Sequence, residues 1–293
     1  MAISIRQVEG SFSREACDTQ IWQSLSDGDI TDLRTAWGVG GVLFFRRQCI
    51  TEDELAAFSA RFGEPEVHPR GEWNSKHNPH IVLITNLRNF EGDELGALGS
   101  GELAWHTDQS YMRNPATGAI LHGVEVPTGG SPTYFANLRL AYEALDETTK
   151  AKIDNCQVVY DYVLRTSGYV GNQPEIDEIR KRFPRVVHPL VNTDPLTGQK
   201  ALYMDPATMG GIVGWPDDEA RALIRQLIAH ATQERFVYAH YWQTGDVVMW
   251  DNGFMLHRRD PLGNEPRLMK RTTVQLPVDR HTVPAGSMYE EAA

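Results

Sequence analysis

The chain has 293 residues, 41% of them hydrophobic and 23% charged, the make-up of an ordinary globular protein. Its 28 basic against 39 acidic side chains leave a net charge of −11, which argues against a nucleic-acid or anionic-membrane partner, since either needs a basic face. The N-terminus lacks a basic stretch followed by an apolar one, no run approaches the ~20 apolar residues of a membrane span, and Cys17, Cys49 and Cys156 are scattered, so the sequence predicts no leader, no span, no disulfide framework and a cytoplasmic location.

In chain order, residues 25–38 read as a short helix, and Gly40 to Phe45 as a buried strand of continuous apolar residues. Thr51 and Glu54 form a capping box ahead of Leu55, Phe58 and Phe62 at helical spacing. His80 to Asn86 is a second buried strand. Residues 88–104, rich in glycine and acidic side chains, read as a mobile loop. Asn137 caps a helix bearing Leu138, Ala141, Tyr142 and Leu145 on one face. Residues 166–183 have weak periodicity and read as a second flexible insert. Val186 to Val191 and Ala201 to Met204 are strands joined by a turn. A helix runs from about Asp217 to Ala231, with Leu223, Ile224, Leu227 and Ile228 inward. Residues 236–250 give two strands around a turn at Thr244–Asp246. There is no repeat and no clear linker, so one domain spanning 1–293 is expected. Many short strands with a few outer helices point to a mainly β fold with flanking α, a β-sandwich or jelly roll decorated by helices.

The chemistry concentrates in Trp105-His106-Thr107-Asp108. In an extended segment, residues i and i+2 project to the same side, so His106 and Asp108 can offer an imidazole and a carboxylate to one ion. His257, in WDNGFMLHRRDP, supplies a third ligand. Two histidines and one carboxylate on one face of an octahedron leave three positions open, which suits an Fe(II) oxygenase. A His-x-Asp pair alone arises readily by chance among ten histidines, and its plain reading is a turn histidine beside an exposed carboxylate. Arg267 follows ten residues after His257, and Arg271 comes soon after. A guanidinium there suits a carboxylate through its two-pronged hydrogen bonds. The cluster of Arg267, Lys270 and Arg271 reads equally well as a solvated basic strand end.

The segments WHTDQSYMRNPATGAIL, GGSPTYFANLRLAYEAL, GDVVMWDNGFMLH and RLMKRTT, in that order, resemble the taurine and 2,4-dichlorophenoxyacetate dioxygenase family, the TauD/TfdA-like oxygenases. The resemblance covers about Gly40 to Leu276. It implies a double-stranded β-helix, or jelly roll, and dependence on Fe(II), 2-oxoglutarate and O₂. It implies His106, Asp108 and His257 as metal ligands, and Thr133 and Arg267 as contacts to 2-oxoglutarate, the Thr133 match being displaced by the preceding Ser131-Pro132. It also implies His68 and Arg271 as contacts to an acidic group of a small substrate, and assembly as a dimer or tetramer. Arg70, beside His68, is a further candidate for holding such an anion. Because halogenating relatives lack the carboxylate, Asp108 argues against that activity.

His188, His122 and His240 read as structural histidines of apolar strands. Trp73, Tyr111 and Met112 are pocket candidates whose default role is packing, and Trp250, Asp251 and Asn252 are expected to hold the third ligand's strand. Residues 70–104 and 160–183 are expected to act as lids. The expected reaction is oxidation of a C–H bond, hydroxylation by default, with release of succinate and CO₂. The alternatives are a biosynthetic desaturase or oxidative decarboxylase of an amino-acid-derived substrate, of the isonitrile-forming kind, and a catalytically silent jelly-roll binding protein.

Overall fold

The computed structural model describes residues 3–68, 71–98, 103–128, 131–166, 173–263, 265–276 and 287–288. Two sheets carry the architecture. The larger runs in the order Ser4–Gln7, Arg14–Cys17, Val42–Phe45, Val247–Asp251, Gly118–Glu125, Leu268–Gln275, Val82–Thr85 and Ala97–Leu98, with Glu64–Pro65 also pairing against Leu268–Gln275. The smaller runs Val237–His240, Thr133–Asn137, Met255–Arg259 and Leu103–His106. Neighbours are antiparallel in both, apart from Arg14–Cys17 on Val42–Phe45 and Val82–Thr85 on Ala97–Leu98. This is the jelly roll that the sequence implied.

The continuous apolar run Val42–Phe45 is buried on both faces because two different cores flank it. Leu43 and Phe45 point outward, with Ile120, Val247 and Met249, against Leu33, Trp37, Leu55, Phe58 and Phe62. Those residues belong to, or directly follow, the helices Asp27–Gly40 and Glu52–Ala60, each opened by a complete capping box from Ser26 and Thr51. Val42 and Phe44 point inward, with Ala119, Leu121, Val248 and Trp250, and share a core with Phe135 and Leu256 of the smaller sheet. Gly41 ends the first helix at φ 73°, and its N–H returns to the Trp37 carbonyl. A Cβ there would meet the Met255 methyl at 2.0 Å, so the helix end and the smaller sheet close on each other only over a glycine.

A third sheet, Met209–Ile212, Gln157–Tyr160, Val186–Pro189 and Ser287–Met288, and the hairpin Val191–Thr193/Lys200–Leu202 extend the inner core. Helix Asp217–Ala231 packs on it through Leu223, Ile224 and Leu227. Ile228 is only partly buried at its edge.

Several elements differ from expectation. The hairpin of Ser4–Gln7 with Arg14–Cys17 is too short and too charged to show a period. The strand expected over Val186–Val191 is interrupted at Leu190, so that its two halves pair in different sheets. Residues 88–104 are not all loop: Ala97–Leu98 adds to the edge of the larger sheet. The stretch 160–183 holds two helices, Tyr162–Thr166 and Gln173–Arg182.

Candidate metal centre

The smaller sheet brings the expected ligands together. His106 closes the strand Leu103–His106, and Asp108 sits in the turn just beyond it. His257 is central in Met255–Arg259, and the antiparallel register sets it directly opposite His106. Their ring centres lie 4.1 Å apart. One donor atom from each of His106, Asp108 and His257 falls within 4.8 Å of the others, and all three residues are buried. Among the described residues no other group of His, Cys, Asp and Glu gathers in this way.

Each ligand is held in place. His106 Nδ1 lies 2.8 Å from the Ala104 carbonyl. That contact makes Nδ1 the protonated nitrogen and leaves Nε2 for an ion. Burial, then the neighbouring His257, pushes the His106 imidazole down to about 3, and burial takes His257 to about 4. Both are therefore neutral, ligand-ready imidazoles at pH 7. Burial alone would raise the Asp108 carboxyl. The Arg271 guanidinium, then His257 and His106, outweigh it and hold the group below the usual carboxylate range. After Asp108 the chain turns sharply through Gln109 at φ 56°, a strained conformation for a residue with a Cβ. Ser110 anchors that turn by bonding Asp205 and Thr208. Thr107 Oγ1 donates to the Asn252 carbonyl at 3.0 Å, and Trp250 Nε1 donates to Asn252 Oδ1 at 2.9 Å. The first two ligands are thus tied to the approach of the third. Two imidazoles and one carboxylate converging this way, with donors fixed from behind, fit a divalent iron-type ion with open positions.

The triad opens on a cleft of about 970 Å³, counted to its open mouth. Thr133 and Arg267 line it. Thr133 Oγ1 accepts from Trp242 Nε1 at 2.9 Å, which leaves its own hydrogen to donate. Arg267 is 3% exposed, and no described residue offers its guanidinium a carboxylate. Burial, then the neighbouring Arg259, pushes its pKa down to about 9. A buried cation without a counter-ion fits an incoming anion such as the far carboxylate of 2-oxoglutarate.

The residues expected to meet substrate fare differently. His68 lines the cleft, half-buried. Arg70 lies outside the described residues. Arg271 also borders the cleft, but its Nη1 donates to both Asp108 oxygens, at 3.1 and 3.2 Å. Trp73, Tyr111 and Trp250 line the cleft as well, Trp250 with its ring centre 4.9 Å from that of His257. His188 is structural, fully buried with Nε2 3.1 Å from the Met112 carbonyl. His240 bonds Asp246 and the Tyr238 hydroxyl in a buried network away from the triad. Sequence reasoning missed Trp242 and, in the stretch 160–183 expected to act as a lid, Tyr162 and Arg165; both of the latter line the cleft. The helix that carries them, Tyr162–Thr166, is too short to show a period in the sequence.

Comparison with known proteins agrees with this geometry. Residues 4–273 match the family described as taurine catabolism dioxygenase TauD, TfdA family. The chain is 29% identical over 266 residues to an alpha-ketoglutarate-dependent 2,4-dichlorophenoxyacetate dioxygenase of Burkholderia sp. strain RASC, covering 88% of this chain and 89% of that one. It is 32% identical over 260 residues to an (S)-phenoxypropionate/alpha-ketoglutarate-dioxygenase of Delftia acidovorans, covering 84% and 86% respectively. Among solved structures, AAD-2 in complex with Mn(II) and N-oxalylglycine is 31% identical, with a TM-score of 0.80 over 97% of this chain and 100% of that one. The chain belongs to the TauD/TfdA family, and with it to the Fe(II)- and 2-oxoglutarate-dependent dioxygenases.

Proposed function

We propose that this member of the TauD/TfdA family oxidises a C–H bond of a small anionic substrate, by hydroxylation, with release of succinate and CO₂. The observation that carries the reading is a single cleft shared by a buried His-Asp-His triad and a buried Arg267 that has no counter-ion among the described residues. The relatives named for phenoxy-acid substrates favour an acid over a neutral compound.

In this reading His106, Asp108 and His257 hold Fe(II), while Arg267 and the Thr133 hydroxyl hold 2-oxoglutarate. Together with O₂ these supply an oxidant strong enough to break an unactivated C–H bond. The protein contributes position and exclusion. Arg271 keeps Asp108 ionised and aimed at the ion site. Trp242 orients Thr133. His68 stands on the substrate side, within reach of an acidic group. Trp73, Val82, Ile84 and Leu121 give the cleft apolar walls that keep water from the reacting carbon. The whole chain, 1–293, works as one catalytic unit, and Trp73, Ala97, Tyr162 and Arg165, from the two stretches expected to act as lids, line the cleft.

Anaerobic addition of Fe(II) and 2-oxoglutarate tests this: a weak visible charge-transfer band is expected, and Asp108→Ala should abolish turnover in a folded protein. Absence of the band in wild type, or turnover retained by Asp108→Ala, removes the assignment. Product masses then fix the outcome, one added oxygen for hydroxylation against two lost hydrogens for desaturation.

A further inference from the structure

Five arginines line the cleft: Arg165, Arg258, Arg259, Arg267 and Arg271. Arg271 is engaged by Asp108. Arg258 pairs with Asp260 and covers the Tyr134 ring, 3.8 Å from its centre. Arg259 and Arg267 are both 3% exposed, neighbouring charges at the end given above to the cosubstrate. Arg165 is unlike these. It belongs to the helix Tyr162–Thr166, is only partly buried, and finds no hydrogen-bond acceptor or carboxylate among the described residues. It nevertheless lines the same cleft as His106, Asp108 and His257.

The helix that carries it is held in place. Tyr162, three residues earlier and so on the same face, also lines the cleft. Its ring centre is 4.3 Å from that of Tyr111 and 4.8 Å from that of Phe183. Tyr111 lies in the same turn as Asp108 and Gln109, so the ion site and the helix are braced against each other. Two anions must enter this cleft, a dicarboxylate cosubstrate and the substrate. It offers two guanidiniums without a described counter-ion: Arg267, almost fully buried, and Arg165, partly exposed.

Resting on the proposed oxygenase reading, we propose that Arg165 is the receptor for the substrate's oxyanion and sets the enzyme's preference for small acids. A carboxylate, sulfonate or sulfate monoester takes two parallel hydrogen bonds from the guanidinium. Its apolar body then lies among the cleft residues Tyr162, Tyr111, Val82 and Ile84.

The test uses the full chain loaded with Mn(II) and N-oxalylglycine, which cannot turn over. Phenoxyacetate, hexyl sulfate and hexanesulfonate are titrated calorimetrically, each beside an uncharged counterpart: phenoxyacetamide, hexanol and hexanesulfonamide. At least one acid should bind about 30-fold more tightly than its counterpart, the worth of a charge-assisted pair. Arg165→Met should erase that preference while N-oxalylglycine affinity stays at the wild-type value, and Arg165→Lys should keep part of it. Should Arg165→Met not fold, Arg165→Gln carries the same expectation. An acid preference that survives loss of the guanidinium, or none in wild type, overturns the proposal and leaves the oxygenase reading standing. A wild-type protein that binds neither Mn(II) nor N-oxalylglycine removes that reading, and this proposal with it.

Discussion

Arg271 lays one guanidinium nitrogen against both oxygens of Asp108, at 3.1 and 3.2 Å, with both side chains buried. The pair gives the ion site a resident positive charge before any metal arrives. Removing the cation leaves a buried carboxylate unpaired, which typically costs ~3–5 kcal/mol. Arg271→Met should therefore unfold at markedly lower urea in chelator. Saturating Mn(II), a cation in the same neighbourhood, should restore much of the loss. Urea titrations of both proteins with and without Mn(II) check this. Equal destabilisation in the two conditions would show that Arg271 does not act through Asp108.

Arg267 makes the opposite trade. It is 3% exposed without a described carboxylate partner, so the empty site carries the cost of a buried charge. Arg267→Met should raise the stability of the cosubstrate-free protein by ~1 kcal/mol, as apolar replacement of buried charge often does. The same change should weaken 2-oxoglutarate binding by about 100-fold, the scale of a lost charge-assisted contact. Thermal melts and 2-oxoglutarate titration read the two effects separately; a less stable variant with normal affinity would contradict both.

Trp242 acts on the same cosubstrate at one remove. Its indole N–H fixes the Thr133 hydroxyl at 2.9 Å. Trp242→Phe keeps most of the ring but loses the bond, worth ~1 kcal/mol. The KM for 2-oxoglutarate should rise about 5-fold with little change in kcat. An unchanged KM would mean that Thr133 needs no such guide.

His188, which is not one of the triad, gives the fold an acid-sensitive element. Burial pushes its imidazole down to about 4 from an ordinary value of 6.5. The unfolded chain therefore binds a proton that the folded chain refuses. The stabilisation is complete above pH 6.5, shrinks as pH falls from there, and is gone below pH 4; its full size is about 3 kcal/mol. Urea midpoints of metal-free protein should fall across that window. His188→Gln should have a flatter profile, and an equally steep one would assign the acid sensitivity elsewhere.

What the sequence could say depended on how local the signal was. The capping box at Thr51 and the apolar run Val42–Phe45 are written in adjacent residues, and the helix and strand form there. The triad was legible because ligand chemistry restricts which residues can serve, and because His106 and Asp108 are two apart. The partner of Arg271 was not legible. That a guanidinium meets a carboxylate 163 positions away is decided by strand register, which no local pattern encodes. The helix bearing Arg165 was missed for another reason: five residues are too few to show a period. The charged N-terminal hairpin was invisible because its stability comes from the sheet edge it joins rather than from its own side chains.

The facing of His257 with His106 across two strands has a consequence for how the protein comes apart. Between them run about 150 residues of chain, and an ion gripping both histidines would staple the ends of that long loop. Such a clasp forms only once nearly all of the polypeptide has been made and both strands are aligned. Loaded protein should then resist proteases throughout the enclosed stretch, while segments outside the clasp, such as the N-terminal hairpin, fray on their own schedule.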